Sequence, residues 1–156
     1  MQQLTIARQQ PLVLASVFLW LGFLGTISFM EAWLKFRAPG ITLELGLGIG
    51  RLVFNALNKV EWVLLLSILG GLLYYKQTVI QRQLIFLVIP CLLLLLQTLW
   101  LLPALDHRAE MAILKQSLPP SNLHFYYVVM EIIKAACLFS YGKSLFKIRA
   151  ISEATI

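Results

Sequence analysis

Charged residues are scarce in this chain, and their scarcity excludes an ordinary water-soluble domain. Only 13% of the 156 residues are Asp, Glu, Lys or Arg, whereas 60% are hydrophobic. Soluble domains carry roughly 25% charged residues. The mean hydropathy is correspondingly high, at +0.82. We therefore expect an integral membrane protein.

Cysteines are few, and catalytic sequence motifs are missing. Cys91 and Cys137 are the only cysteines, and they do not form a C-x-x-C motif. Thiols isolated among apolar residues are typical of small buried side chains; a redox pair between neighbouring helices is the alternative. The sequence contains no nucleophile elbow, P-loop, zinc signature or haem-attachment motif. No motif therefore identifies a reaction, a metal or a cofactor.

Long apolar runs are abundant. Four of them reach the ~20 residues that a helix needs to cross a bilayer, and they cover about 11–33, 46–75, 84–105 and 123–146. The first run is too long for a secretion signal, and no small-residue cleavage site follows it. The runs predict an all-α integral membrane protein, a four-transmembrane-helix antiparallel bundle that forms a single membrane domain over 1–156. The longest predicted connection extends from Asp106 to Asn122.

Basic residues predict the orientation of this bundle. The net charge is +6, and alternating helices would place six Lys or Arg on each side. Two on the outer side, Arg51 and Lys59, belong to the second helix rather than to a loop. Because cytoplasmic loops are richer in basic residues, we place the chain in the cell membrane with both termini cytoplasmic. The basic tail suits anionic lipid head groups, and nothing further supports nucleic-acid binding.

The start of the second helix, "RLVFNALNKVEW", has one polar side. At roughly 100° per residue, Arg51, Asn55, Asn58 and Glu61 share one face. A helix from Gly46 to the end of this run would be about 45 Å long, longer than the ~30 Å hydrocarbon core. Its first half must project, tilt or bend at the interface. The polar side chains then either face water or need partners inside the protein.

The fourth helix also has a polar stripe. His124, Tyr127, Glu131 and Lys134 follow one another at spacings of three, four and three residues. Lys134 lies near the bilayer centre, where a charge costs about 2.5–3.5 kcal/mol and normally faces a bundle interior or a water-filled cavity. A pair with Glu131, one turn away, would relieve part of that cost.

Two further polar residues lie in the outer halves of their helices, Glu31 in the first and Gln97 in the third. With the two stripes, they predict a blind, outward-facing polar pocket. The ten candidate pocket residues are Glu31, Arg51, Asn55, Asn58, Glu61, Gln97, His124, Tyr127, Glu131 and Lys134. We expect Arg51 to turn inward and pair with Glu31, which is a better candidate than Glu61. A contact with lipid phosphate is the alternative.

Several functions fit such a pocket. The first is binding of, or action on, a small lipophilic molecule; an acid–base enzyme would use Glu131 with Lys134, or His124 with Tyr127. Carboxylate-rich bundles also hold iron or manganese, but the E-x-x-H pair is absent and nearby cations would repel a metal, so no metal site is predicted. A non-catalytic accessory or scaffold subunit is the remaining alternative. Membrane lipids are expected partners, and a homo-oligomer or larger membrane complex is possible.

Two short segments resemble small four-helix membrane proteins of the anthrone-oxygenase-like type. The segments are "APGI", Ala38 to Ile41, and "ALNKVEW", Ala56 to Trp62. The spacing of the four apolar runs is similar too. The resemblance implies a four-helix membrane fold and, as in some members, oxidation of polycyclic aromatic or related small molecules. Asn58 is the residue that it carries across to this chain, without a catalytic role.

Overall fold

Four long helices make up the part of the chain that the structure describes. The structure, a computed structural model, covers residues 11–74, 81–116 and 119–153. The helices are α1, Pro11–Arg37; α2, Leu43–Tyr74; α3, formed by the consecutive segments Gln81–Leu96, Gln97–Leu101 and Leu102–Ile113; and α4, Leu123–Glu153. No strand occurs in these ranges. The predicted all-α fold is confirmed, and all four helices are long and apolar enough to cross a membrane.

Neighbouring helices run antiparallel. Near one end of the bundle, Ser16 of α1 donates a hydrogen bond to Ser67 of α2 at 3.0 Å. Near the other end, the Phe36 ring of α1 contacts Gly46 of α2. Because sequence numbers rise along α1 while they fall along α2, the two helices point in opposite directions. The pairs Asn58–Thr98 and Arg51–Asp106 show the same for α2 and α3. The pairs Ser28–Glu131 and Phe18–Gly142 show it for α1 and α4.

Local chemistry accounts for the first connection. Ala38 precedes a proline and has an extended backbone (φ −71°, ψ 134°), as expected because Pro39 disfavours helical geometry in the residue before it. Gly40 follows at φ 81°, a conformation that glycine adopts without steric cost. Thr42 Oγ1 then accepts a hydrogen bond from the Leu45 amide at 3.3 Å. This hydroxyl cap starts α2 at Leu43, three residues before the predicted start.

The third helix is longer than predicted. We expected it to end near Leu105, but its last segment continues to Ile113, so the first part of the predicted Asp106–Asn122 connection, residues 106–113, is helical. Pro103 is the second residue of this segment and lies inside the continuous helix α3, where proline lacks the amide hydrogen that a helix residue donates. The continuation adds two turns to α3. Tyr75, the predicted end of the second run, lies outside the described residues.

Two helices contain wide π-helical turns. The turns are Leu24–Glu31 in α1 and Gln97–Leu101 in α3. A π-turn has i→i+5 hydrogen bonds and often occurs at a functional site. Each turn contributes one polar side chain, Ser28 or Gln97, to the bundle interior.

The half of the bundle that contains Val13, here called the Val13 end, is an apolar core. Its fully buried side chains come from α1, α2, α3 and α4 and include Val13, Val17, Leu65, Ile68, Leu94 and Leu138. The opposite half, here called the Arg51 end, contains most of the charged side chains. The connection between α3 and α4 also lies there, and Ser121 Oγ accepts a hydrogen bond from the Leu123 amide at the start of α4. We predict the functional site at the Arg51 end for this reason.

Candidate functional site

A fully buried ion cluster lies between three helices. Glu61 of α2 and Glu131 and Lys134 of α4 are at most 1% exposed. Lys134 Nζ lies 2.5 Å from Glu61 Oε1 and 2.9 Å from Glu131 Oε1. The predicted Glu131–Lys134 pair is therefore formed, and Glu61 joins it from the neighbouring helix.

Gln97 of α3 completes the ion cluster, which we define as Glu61, Gln97, Glu131 and Lys134. Gln97 Oε1 accepts a hydrogen bond from Lys134 Nζ at 2.7 Å, and Gln97 Nε2 donates one to Glu131 Oε1 at 2.8 Å. The ammonium group thus donates hydrogen bonds to Glu61 and Gln97 and forms an ion pair with Glu131. Burying charges costs several kcal/mol per ion unless they are paired and hydrogen-bonded. Full pairing is what makes Lys134 tolerable at 0% exposure.

Two side chains of α1 cover the ion cluster. Trp20 Nε1 donates to Glu61 Oε1 at 2.8 Å, and Ser28 Oγ donates to Glu131 Oε2 at 3.1 Å. Neither was a predicted site residue. In a regular α-helix these two side chains would differ by about 80° in direction. The π-turn that begins at Leu24 widens the helix between them, and hydropathy gives no signal for such a turn.

A second polar group joins α2 to α3. Asn58 Nδ2 and Trp62 Nε1 each donate to Thr98 Oγ1 at 2.9 Å. The Thr98 hydroxyl donates in turn to the Leu94 carbonyl at 2.8 Å. Asn58 is therefore engaged between two helices, and we assign it a packing role.

A cavity of about 230 Å³ opens between the helices at the Arg51 end, lined by α1, α2, α3 and the first turn of α4. We call this cavity the pocket. Most of its lining is apolar or small: Ala32, Phe36, Gly46, Leu47, Gly50, Phe54, Leu102, Leu105 and Ala109. Its polar lining consists of Lys35, Arg51, Asn55, Asp106 and His124. The arrangement offers an apolar volume with polar groups at its edge.

The prediction that Arg51 pairs with Glu31 is wrong. Arg51 instead forms a bidentate ion pair with Asp106 of α3, with Nε–Oδ1 at 2.6 Å and Nη2–Oδ2 at 2.9 Å. Glu31 pairs with Lys35, one turn along its own helix, at 3.3 Å. The reason is the length of α3, because the helical continuation beyond Leu105 brings Asp106 opposite α2. Paired carboxylate and guanidinium planes give a geometrically specific contact.

An aromatic layer separates the pocket from the ion cluster. The rings of Phe54 and Tyr127 have centroids 5.0 Å apart, and Tyr127 packs against Leu101 and Leu102. Phe54 and Leu102 also line the pocket. Tyr127 precedes Glu131 by one helical turn, about 6 Å of rise. The acid and base groups of the cluster therefore do not line the pocket.

The structure distributes the ten candidate residues over separate places. Three line the pocket and four form the ion cluster; these are Arg51, Asn55 and His124, and Glu61, Gln97, Glu131 and Lys134, respectively. Of the remaining three, Glu31 pairs with Lys35, Asn58 contacts Thr98, and Tyr127 belongs to the aromatic layer. One continuous polar pocket was expected, and the described residues form a pocket and a buried cluster instead.

The described residues form neither a metal-binding cluster nor a disulfide. Within 11–74, 81–116 and 119–153, no group of three or more His, Cys, Asp or Glu side chains is placed to hold a metal ion. The Lys134 ammonium lies where a cation between the two carboxylates would be. Cys91 and Cys137 are free thiols, half-buried and buried.

Comparisons with known proteins found no match for this chain. No protein-family model, no curated protein and no solved structure matches the chain. The resemblance to anthrone-oxygenase-like proteins therefore stays a prediction, and the site is interpreted from its own chemistry.

Proposed function

We propose that this chain is a multi-pass membrane protein whose bundle binds a small lipophilic molecule in the pocket at the Arg51 end. Four helices of sufficient length and hydropathy support membrane insertion. The distribution of basic residues supports cytoplasmic termini in the cell membrane. With this orientation the pocket opens on the outer side.

The pocket itself is the observation on which the proposal rests. Its volume of about 230 Å³ exceeds the ~150 Å³ of an engineered cavity that binds benzene. It falls below the ~300 Å³ at which pockets for drug-sized molecules begin. The ligand class that fits is a molecule of one or two rings, or a short alkyl chain. The apolar lining favours the desolvation of such a molecule.

Polar groups at the edge would orient the ligand. Arg51 and Asp106 satisfy each other and are only partly exposed, at 28% and 35% of their side chains. The Lys35 side chain is 9% exposed, and its ammonium group lies 5.2 Å from the centre of the Phe54 ring. A ligand with one hydroxyl or carbonyl group would find both donors and acceptors beside an apolar wall.

Binding is better supported than acid–base catalysis. A general acid or base must reach its substrate within hydrogen-bond distance or through one water. Glu131 and Lys134 lie beyond the aromatic layer, whereas His124 lines the pocket. Glu131 and Lys134 therefore cannot act as acid and base on a molecule that is bound in the pocket.

A stability measurement with two probes tests the proposal. We expect 2-naphthol or 1-octanol to raise the thermal unfolding temperature of the detergent-purified protein. A ligand at 100 times its Kd stabilises by about 2.7 kcal/mol. Ala109→Phe fills the pocket from α3 and should abolish the shift, whereas Ala56→Phe, on an exposed position of α2, should retain it. Equal shifts in both variants would mean that the probes bind elsewhere, and the proposal would fail.

A further inference from the structure

The ion cluster contains one more acid than it contains bases. Glu61 and Glu131 face one ammonium group, Lys134, and all three side chains are at most 2% exposed. If all three were charged, the cluster would hold a net charge of −1 in the interior of the bundle. A buried, uncompensated charge costs several kcal/mol. Something must neutralise it.

None of the four helices supplies a second positive charge to the cluster within the described residues. On α1, the side chains that contact it are Trp20 and Ser28, which are neutral donors. On α3, Gln97 is a neutral amide. On α4, Tyr127 precedes Glu131 by one turn and has a neutral ring, while α2 contributes Glu61 alone. The basic groups Lys35 and Arg51 pair with Glu31 and Asp106 at the other side of the aromatic layer.

A bound metal ion is not the answer to this imbalance. The position between the carboxylates is filled by Lys134 Nζ, with three oxygen atoms at 2.5, 2.7 and 2.9 Å. These oxygens belong to Glu61, Gln97 and Glu131. The ammonium acts as the built-in cation of this site. The remaining negative charge is removed most simply by a proton.

Hydrogen-bond geometry distinguishes the two carboxyl groups. Both oxygens of Glu131 accept a hydrogen bond: Oε1 from Gln97 and Oε2 from Ser28. Lys134 Nζ lies 2.9 Å from the same Oε1 as an ion pair. Donors at both oxygens, with an ammonium group beside one of them, are typical of a carboxylate. At Glu61 the donors found among the described residues, Trp20 and Lys134, both meet Oε1. No donor among the described residues meets its Oε2, so this oxygen is free to carry a hydrogen atom.

We infer that the ion cluster is a binding site for one proton, held on Glu61 Oε2, so that Glu61 is a neutral carboxylic acid beside a Glu131–Lys134 ion pair. The inference concerns the interior of the bundle and is independent of the proposed ligand in the pocket. It assigns to the bundle a buried group that holds a single proton.

Infrared spectroscopy of the purified protein in lipid tests this inference. We expect the C=O stretching band of a protonated carboxyl group at neutral pH, and we expect Glu61→Gln to remove it. Glu44→Gln, at the start of α2 and away from the cluster, is the matched control and should leave the band unchanged. Absence of the band in the unmodified protein would overturn the inference, whatever the variants do.

Two further variants identify which carboxyl group carries the proton. Trp20→Phe removes the donor to Glu61, whereas Ser28→Ala removes a donor to Glu131. A carbonyl band moves when a hydrogen bond to its oxygen is lost. We expect Trp20→Phe to shift the band and Ser28→Ala to leave it in place. The reverse result would put the proton on Glu131 and contradict the assignment to Glu61.

Discussion

At the scale of single residues, Lys134 is the side chain on which the bundle interior depends most. It is fully buried, and its ammonium group meets acceptors from α2, α3 and α4. Charge-assisted hydrogen bonds of this kind are roughly twice as strong as neutral ones. Loss of all its carboxylate partners would leave an unpaired cation in an apolar environment.

The first prediction compares the two carboxyl groups of the ion cluster, Glu61 and Glu131. Glu61→Gln and Glu131→Gln each leave one acid beside one base, and the new amide oxygen still accepts a hydrogen bond. We expect each single variant to lose about 1 kcal/mol of unfolding free energy. The double variant leaves Lys134 without a counter-charge and should lose about 3–5 kcal/mol. Denaturant unfolding in detergent measures these values, and strictly additive losses would contradict the shared-charge account.

The second prediction concerns the pair at the edge of the pocket. Arg51→Met and Asp106→Asn should show a coupling energy of about 0.5–1 kcal/mol in a double-mutant cycle, since the pair is bidentate but partly exposed. The matched cycle of Arg51→Met with Glu31→Gln should be additive, because Glu31 pairs with Lys35 instead. Thermal unfolding in detergent provides both cycles. Coupling to Glu31 rather than to Asp106 would show that the structural assignment is wrong.

At the scale of helices, sequence periodicity predicted which side of α2 faces the bundle but not what that side meets. Glu61, Asn58 and Arg51 all point to neighbouring helices, as the polar face indicated. Their partners depend on two features that hydropathy does not encode. One is the π-turns that rotate Ser28 and Gln97 inward, and the other is the helical continuation of α3 through a segment that is polar enough to be taken for a loop.

The third prediction uses two adjacent glycines of α2. A methyl group on Gly71 would lie 2.6 Å from Val13 Cγ2, whereas one on Gly70 would meet nothing within 4 Å. Val13 is β-branched and fully buried, so its side chain has little freedom to move. We expect Gly71→Ala to lose about 1–3 kcal/mol of stability through overpacking.

Gly70→Ala is the control for this contact, since it makes the same glycine-to-alanine change one residue away. It should be neutral or slightly stabilising because alanine favours a helix over glycine. Denaturant unfolding of the two variants compares them directly. Equal stabilities would contradict the close approach of α1 to α2 at the Val13 end.

At the scale of the whole molecule, the number of helices and their order were predictable because four apolar runs have few other solutions. Hydrogen-bonding groups of the backbone must be satisfied within a membrane, which favours helices. The division of the polar residues into a pocket and an ion cluster was not predictable. It depends on Phe54 and Tyr127 meeting across the bundle, and aromatic residues in such runs are equally compatible with positions at the lipid interface.

The fourth prediction concerns orientation. Single cysteines at Gln2 and Ser121, in a background without Cys91 and Cys137, should differ in their reaction with a membrane-impermeant maleimide. Gln2 lies outside the described residues, and Ser121 lies in the exposed connection before α4. We expect Ser121 to react in intact cells and Gln2 only after permeabilisation. The opposite pattern would reverse the topology and place the pocket on the cytoplasmic side.

The central claim is that the pocket at the Arg51 end holds a small lipophilic molecule. Native mass spectrometry of the protein released from mild detergent tests it most directly. We predict a bound mass corresponding to a one- or two-ring compound or a short-chain lipid fragment. That mass should be lost in Ala109→Phe and kept in Ala56→Phe. A protein that retains no such mass, or retains it equally in the filled variant, would contradict the account.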